Sequence, residues 1–242
     1  MRLSGMKGEC RGVLLDFGNT LYYSRPSVEV VVQTILGRHG YDVGLREVRR
    51  AIRRADKHHR EVIIPRLLAG PLPLDLGSWR DMWSDHNARI LESLGITDTQ
   101  LPLQIHDEWN SVPRQTRTFD EVPEALRRIR MRGHAMGLIS NTDEDLRPFL
   151  ARDGLLNLFE VVLLSFEVGR IKPDPEIFLE AARRLKLRPQ DCVHVGDDAT
   201  YDVEGAKAAG MTPILLQRKG KAEGSGLGVT VISSLNELLD LV

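Results

Sequence analysis

The sequence predicts an α/β protein: a doubly wound parallel sheet covered by helices on both faces, interrupted early by an all-helical insertion. Three observations carry this reading. Val13-Leu14-Leu15 is a short apolar run that ends abruptly in Asp16-Phe17-Gly18-Asn19-Thr20, as suits a strand buried on both faces. From Phe119 onward helical and strand patterns alternate, the signature of parallel strands joined through helices. Between them, roughly Tyr23 to Arg117 shows only helical periodicity.

Bulk properties narrow the class. The 242 residues, 42% of them hydrophobic, suffice for a core domain with a smaller insertion. A formal net charge of -1 gives no bulk electrostatic reason to bind nucleic acid or an anionic membrane, and neither is expected as a partner. Cys10 and Cys192 are the only cysteines, which argues against a disulfide framework and makes a reducing cytoplasm the default location. Residues 1–10 read as a polar leader without a secretory apolar region. No stretch approaches the roughly 20 apolar residues of a membrane span.

Taken in order, the first strand gives way to a helix beginning near Pro26, with Val28, Val31, Val32, Ile35 and Leu36 at helical spacing before Gly37 and Gly40. A second helix is expected over Leu45–Leu68. Its basic centre, Arg49 to Arg60, reads as a solvated face rather than a surface for an anionic substrate. Pro65, Gly70, Pro71, Pro73 and Gly77 break the pattern; Trp79, Met82, Trp83, Ile90, Leu91 and Leu94 resume it, the aromatics reading as core. A further helix over Gln100–Trp109 precedes a polar connection at Pro113–Thr118.

In the second half, Pro123 marks a helix start and Gly133 its end. Strands are expected at Ala135–Ser140, Val161–Leu164, Cys192–Val195, Pro213–Leu216 and Val229–Ile232. Helices are expected around Leu146–Arg152, Glu176–Lys186, Val203–Ala209 and Leu235–Leu241. Lys219–Gly228 reads as a surface loop. The expected division is a core of residues 11–22 and 118–242 with a helical domain at 23–117.

Several strands end in polar residues that would meet at one sheet edge: Asp16, then Ser140-Asn141-Thr142, then Gly196-Asp197-Asp198. Ligands of open parallel sheets gather at such carboxyl ends. Each cluster alone marks a turn or a cap, so their convergence carries the signal.

The ordered set DFGNTL, LISNT, GRIKPDPEIF and HVGDDATYDVEGAKAAGM resembles the haloacid dehalogenase superfamily of phosphatases and related hydrolases. It is similar to the branch with a helical cap inserted after the first strand, on a Rossmann-like core. The resemblance implies Asp16 as nucleophile, forming an aspartyl-phosphate that water cleaves, and so splitting one displacement into two easier steps. Ser140 and Asn141 would donate to the phosphate, with the following helix start adding donors; Ser140 or Thr142 would otherwise cap that helix. Lys172 would supply fixed positive charge at the nucleophile and transferred group. Thr20 would organise the first loop through its hydroxyl and counts with the phosphate-binding set.

The implied cofactor is Mg²⁺, held by Asp16, Asp197 and the backbone carbonyl of Gly18, since Mg²⁺ favours hard oxygen donors. Asp202 would support the site from behind, and Asp198 would either approach the metal or cap the next helix. The implied partner is a small phosphorylated substrate, with the cap excluding water when closed.

One position departs from the family pattern. Its phosphatases carry a general acid–base aspartate two residues after the nucleophile, where this chain has Gly18. The resemblance therefore implies an intact nucleophile and metal site with impaired proton transfer, a penalty on the order of 10²–10⁴ in rate. Asn19 tolerates the left-handed turn geometry that glycine often supplies. The alternatives are a phosphonatase-like enzyme using Lys57 as an imine-forming cap lysine, a dehalogenase, or a phosphate-binding interaction protein. His39, His58, His59 and His86 are available as cap-borne acid–base groups, but none is singled out.

Overall fold

A computed structural model describes residues 9–70, 76–218 and 228–242. Residues 1–8 of the leader, Pro71 and Pro73, and residues 219–227 of the Lys219–Gly228 loop lie outside the described residues. The chain separates into two compact units, Met1–Tyr23 with Arg117–Val242, and Ser24–Thr116.

The described strands are β1 (Gly12–Leu15), β2 (Tyr22–Arg25), β3 (Gln115–Thr118), β4 (Ala135–Ser140), β5 (Val161–Leu164), β6 (Cys192–Gly196), β7 (Thr212–Leu216) and β8 (Thr230–Ile232). Six of them form one parallel sheet in the order β5-β4-β1-β6-β7-β8. β1 lies inside it, with Leu15 aligned to Leu138 on one side and to Val195 on the other. Strand order runs outward in both directions from β1, so the topological switch falls where β1 meets β6. That is where ligands of such sheets bind.

The helical unit contains α1 (Val28–Arg38), α2 (Leu45–His58), α3 (Ile64–Ala69), α4 (Leu76–Ser93) and α5 (Leu101–Glu108). The core helices are α6 (Val122–Met131), α7 (Arg147–Arg152), α8 (Ser165–Val168), α9 (Pro175–Arg184), α10 (Gly205–Ala208) and α11 (Leu235–Leu238). Period-two alternation along β1 sends side chains to two different layers. Val13 and Leu15 pack with Val122, Leu126 and Ile129 of α6, whereas Leu14 packs with Ile177, Phe178 and Ala181 of α9. Burying a leucine of this kind is worth about 1.5–3 kcal/mol. The sheet is held from both faces, which is the doubly wound arrangement.

Within the helical unit, Val31, Ile35, Val48, Ile90, Leu91 and Ile105 share one core. Three details differ from the sequence expectation. The helix expected over Leu45–Leu68 is interrupted by a π-helical turn at His59–Ile63, a wider turn that shifts the following residues around the axis. The insertion is not wholly helical, because β2 and β3 pair as a two-stranded ribbon. The polar text at Gln115–Thr118 hid that strand, whose alternating exposure lacks an apolar face. The helix expected over Val203–Ala209 begins earlier, as a π-helical turn at Ala199–Glu204 leading into α10. No helix among the described residues is long and apolar enough to cross a membrane.

Candidate active site

Three neighbouring strands deliver polar groups to the same sheet edge. Ser140 is the last residue of β4, Asp16 follows β1, and Asp197 follows β6. The Asp16 amide extends the sheet by donating to the Val195 carbonyl at 2.9 Å. The position of Asp16 is therefore set by sheet register.

Lys172 links this edge to the loop before α9. Its ammonium donates to Asp16 Oδ1 and to Asp202 Oδ1, each at 2.6 Å. Pro175 at the first turn of α9 and Asp174 as its N-cap, accepting from the Glu176 amide at 2.9 Å, fix the start of the following helix. Asn141 clasps the Lys172 backbone from both sides, its amide donating to the Lys172 carbonyl at 2.9 Å and its Oδ1 accepting from the Lys172 amide at 2.8 Å. The Asn141 side chain thus holds the Lys172 backbone in place.

The segment after Ser140 is also not a helix start. α7 begins only at Arg147, with Leu146 at its N-cap, so neither Ser140 nor Thr142 caps a helix. Thr142 instead closes a local turn, its hydroxyl accepting from the Glu144 amide at 3.1 Å. The buried Ser165 hydroxyl accepts from the Thr142 amide at 2.8 Å and donates to the Thr142 carbonyl at 2.9 Å. Ser140 itself is buried.

Asp202 is the most heavily bonded carboxylate here. Its Oδ1 accepts from Lys172 and, at 2.9 Å, bonds His194 Nε2; its Oδ2 accepts from the Asp198 amide at 3.1 Å. Gly196 makes this close approach possible, since a Cβ there would lie 2.1 Å from Asp202 Cγ. Asp198 caps the π-helical turn, Oδ1 accepting from Thr200 and Tyr201 amides at 2.8 and 2.9 Å.

Asp16, Asp197 and Asp202 each offer a carboxylate oxygen within 4.8 Å of the others. Burial pushes the Asp16 carboxyl up, opposed by Lys172 and reinforced by Asp202. Burial, with Asp16 and Asp202 as like-charged neighbours, pushes Asp197 from its ordinary 3.8 up to about 8. For Asp202 burial works the same way but is outweighed by Lys172 and His194, which hold it well below the usual range. Burial favours a neutral Lys172, yet Asp16 and Asp202 outweigh it and keep the ammonium protonated. With all three carboxylates ionised and one ammonium among them, two negative charges stay uncompensated. A divalent cation would supply that charge, and the all-oxygen donor set would suit Mg²⁺. Asp202 is spent on Lys172, His194 and the Asp198 amide, which leaves Asp16 and Asp197 as the carboxylates free to hold a cation.

The first loop departs from expectation at one residue. Asn19 adopts φ 53°, the left-handed conformation anticipated for it. Thr20 Oγ1, however, is buried without a hydrogen-bond partner, so its hydroxyl does not organise the loop. A Cβ on Gly18 would meet nothing within 4 Å.

Lys57, His39 and His86 of the helical unit are engaged locally. Lys57 is 72% exposed and faces Glu61 at 3.8 Å. His39 bonds Glu108 at 2.7 Å and His86 bonds Asp56 at 2.9 Å. Burial, then His86, pushes the His59 imidazole down to about 4, while His58 Nε2 is buried without a partner.

Sequence reasoning missed His194, Ser165 and Arg218. His194 was visible as a polar residue inside an apolar strand; Ser165 and Arg218 act through backbone contacts that leave no local pattern.

A family model for haloacid dehalogenase-like hydrolases matches residues 10–210. The human haloacid dehalogenase-like hydrolase domain-containing protein 3 is 34% identical over 140 residues, 57% of this chain and 56% of that protein, so the match spans little more than half of the relative. Phosphoserine phosphatase of Thermus thermophilus is 38% identical over 109 residues, 43% of this chain and 44% of that protein. Among solved structures, the 2-haloacid dehalogenase of Pseudomonas syringae pv. Tomato DC3000 superposes with a TM-score of 0.58 at 26% identity, covering 96% of this chain and 97% of that one. With a sheet that ends in this acidic cluster and a family match across most of its length, the chain belongs to the haloacid dehalogenase-like hydrolases.

Proposed function

We propose that this chain hydrolyses a small phosphorylated substrate through a covalent phospho-Asp16 intermediate. The observation that carries the reading is a single buried ammonium, Lys172, bonded to both Asp16 and Asp202 beside a third carboxylate, Asp197. Such a centre is short of positive charge, as a site for a divalent cation and a phosphoryl group should be. The phosphatase relative supports the substrate class.

In this reading Asp16 and Asp197, with the Gly18 carbonyl, would hold Mg²⁺, which when bound would neutralise charge on the phosphoryl oxygens. An Asp16 carboxylate oxygen attacks phosphorus, and the bond to the ester oxygen breaks. Lys172 stabilises charge on the transferred group while keeping Asp16 oriented. Ser140, at the end of β4, donates its hydroxyl to a phosphoryl oxygen. Water then attacks the phospho-aspartate, releasing inorganic phosphate and regenerating the carboxylate.

Gly18 brings no proton donor to the leaving oxygen, which must take its proton from water or depart as a stable anion. Activated esters are therefore the favoured substrates. The deciding assay is p-nitrophenyl phosphate turnover with and without Mg²⁺, wild type against Asp16→Asn. Turnover that needs Mg²⁺ and disappears in the variant is expected; turnover unaffected by Asp16→Asn overturns the nucleophile assignment.

A further inference from the structure

Arg218 stands just beyond β7, where the sequence gives no reason to expect a role. Its guanidinium nevertheless makes two bonds to the backbone of the loop behind the nucleophile. Nε donates to the Asn19 carbonyl at 3.1 Å and Nη2 to the Thr20 carbonyl at 2.6 Å. The remaining nitrogen, Nη1, pairs with Glu121, and the guanidinium carbon sits 3.6 Å from the centroid of the Phe119 ring. The Arg218 side chain as a whole is only 15% exposed, with its bond to Thr20 partly buried and its bond to Asn19 open to solvent.

The loop needs an external brace. Its inner side is closed by the Leu21 and Tyr22 amides, both donating to the Phe17 carbonyl at 2.9 Å, and by the Asn19 amide donating to the Tyr22 carbonyl at 2.7 Å. Its outward carbonyls, at Asn19 and Thr20, go to Arg218. Asn19 is held in the left-handed region, and the Thr20 hydroxyl has no partner. A planar fork of donors suits two successive carbonyls; a lysine ammonium, a point charge on a flexible stem, does not reproduce that geometry.

We propose that Arg218 is a positioning residue: it fixes the Asp16–Tyr22 loop, and through it the Gly18 carbonyl and the Asp16 side chain, by clamping the Asn19 and Thr20 carbonyls. Its catalytic consequence rests on the reading of Asp16 as nucleophile; the clamp itself does not. The experiment compares wild type with Arg218→Met and Arg218→Lys, measuring amide hydrogen exchange at Asn19, Leu21 and Tyr22 together with kcat and KM for p-nitrophenyl phosphate. Both variants should speed exchange in this loop while leaving β4 and β6 amides unchanged. In Arg218→Met kcat should fall on the order of 10²-fold, as for a small misplacement of reacting groups, with KM nearly constant. In Arg218→Ala, added guanidinium below denaturing concentration should restore part of kcat.

Wild-type exchange at the three loop amides in both variants overturns the clamp; faster exchange with unchanged kcat overturns the positioning role assigned to it. If wild type has no turnover, the phosphatase reading fails while loop exchange still decides the clamp. Arg218→Lys keeps the charge facing Glu121, which guards against a variant that only fails to fold.

Discussion

Lys172 and Asp16, 156 positions apart in sequence, meet at 2.6 Å in a site where both side chains are more than nine-tenths buried. Neither charge is tolerable there alone, because each loses its hydration: Asp16 is compensated chiefly by Lys172, and Lys172 by Asp16 and Asp202. The pair is therefore a structural bond as well as the proposed chemical centre.

Lys172→Met should accordingly destabilise the protein by about 3–5 kcal/mol, the usual cost of stranding a buried charge partner. Urea denaturation at neutral pH checks this. The loss should shrink at acidic pH, where the stranded carboxylates take up protons; an equal loss at all pH values contradicts the assignment.

Asp197 makes a falling contribution to the stability of the metal-free protein as pH rises, while the buried His59 makes a rising one between about pH 4 and its ordinary 6.5. The Asp197 carboxyl is raised from 3.8 to about 8, so between those values the folded state holds a proton that the unfolded state has released. Its contribution to stability is present below the unfolded value and is lost as pH rises through the folded one. Thermal unfolding of wild type and Asp197→Asn in chelator should show the Tm of wild type declining relative to the variant from about pH 4 to about pH 8. Added Mg²⁺ should flatten that decline, with proton release on binding measurable by calorimetry in buffers of different ionisation enthalpy.

Gly18→Asp tests the missing acid–base group with little structural cost. A Cβ there meets nothing within 4 Å, so stability should stay within about 0.5 kcal/mol of wild type. Turnover of alkyl phosphates should rise by a factor on the order of 10²–10⁴, and that of p-nitrophenyl phosphate by less. A folded, Mg²⁺-binding variant with no gain shows that proton transfer is not limiting.

His194→Phe removes a donor to Asp202 at a fully buried position beside Phe178, whose ring centroid lies 4.9 Å away. Loss of a hydrogen bond to a charged group predicts about 1.5–3 kcal/mol of destabilisation. Double-mutant cycles with Lys172→Met should show strong coupling, because both donors share one oxygen. Additive losses contradict the shared-acceptor arrangement.

Gly196→Ala should be among the most damaging single-methyl changes. The new Cβ falls on the Asp202 carboxylate, so the strand end or Asp202 must move. A cost of about 1–3 kcal/mol is expected, with loss of metal-dependent stabilisation in the same thermal assay.

What was legible in the sequence follows from what has a local signature. β4 and β5 are found at their expected bounds because apolar runs flanked by turn residues announce buried strands. The gathering of Asp16 and Asp197 was legible because the sheet brings strand ends together, and that of Lys172 and Asp202 with them only through the family resemblance of their motifs. β2 and β3 were not, since ribbon strands of mixed exposure have neither period to display. The commitment of Asn141 to the Lys172 backbone and the grip of Arg218 on Asn19 and Thr20 join residues 31 to 199 positions apart, through carbonyls and amides that every residue possesses. No side-chain pattern can announce them.

β1 is hydrogen-bonded on both sides, to β4 and to β6, with Asp16 as the next residue beyond it. A slip of one residue would put Leu15 or Phe17 where the carboxylate belongs and turn Val13 and Leu15 away from α6. Misalignment of the reacting group and disruption of the core are thus the same event. Conservative core changes that preserve register should spare the chemistry, whereas a variant with a shifted β1 should have no folded inactive form to populate. For this chain, loss of soluble expression and loss of catalysis should travel together along β1 and come apart only beyond Asp16.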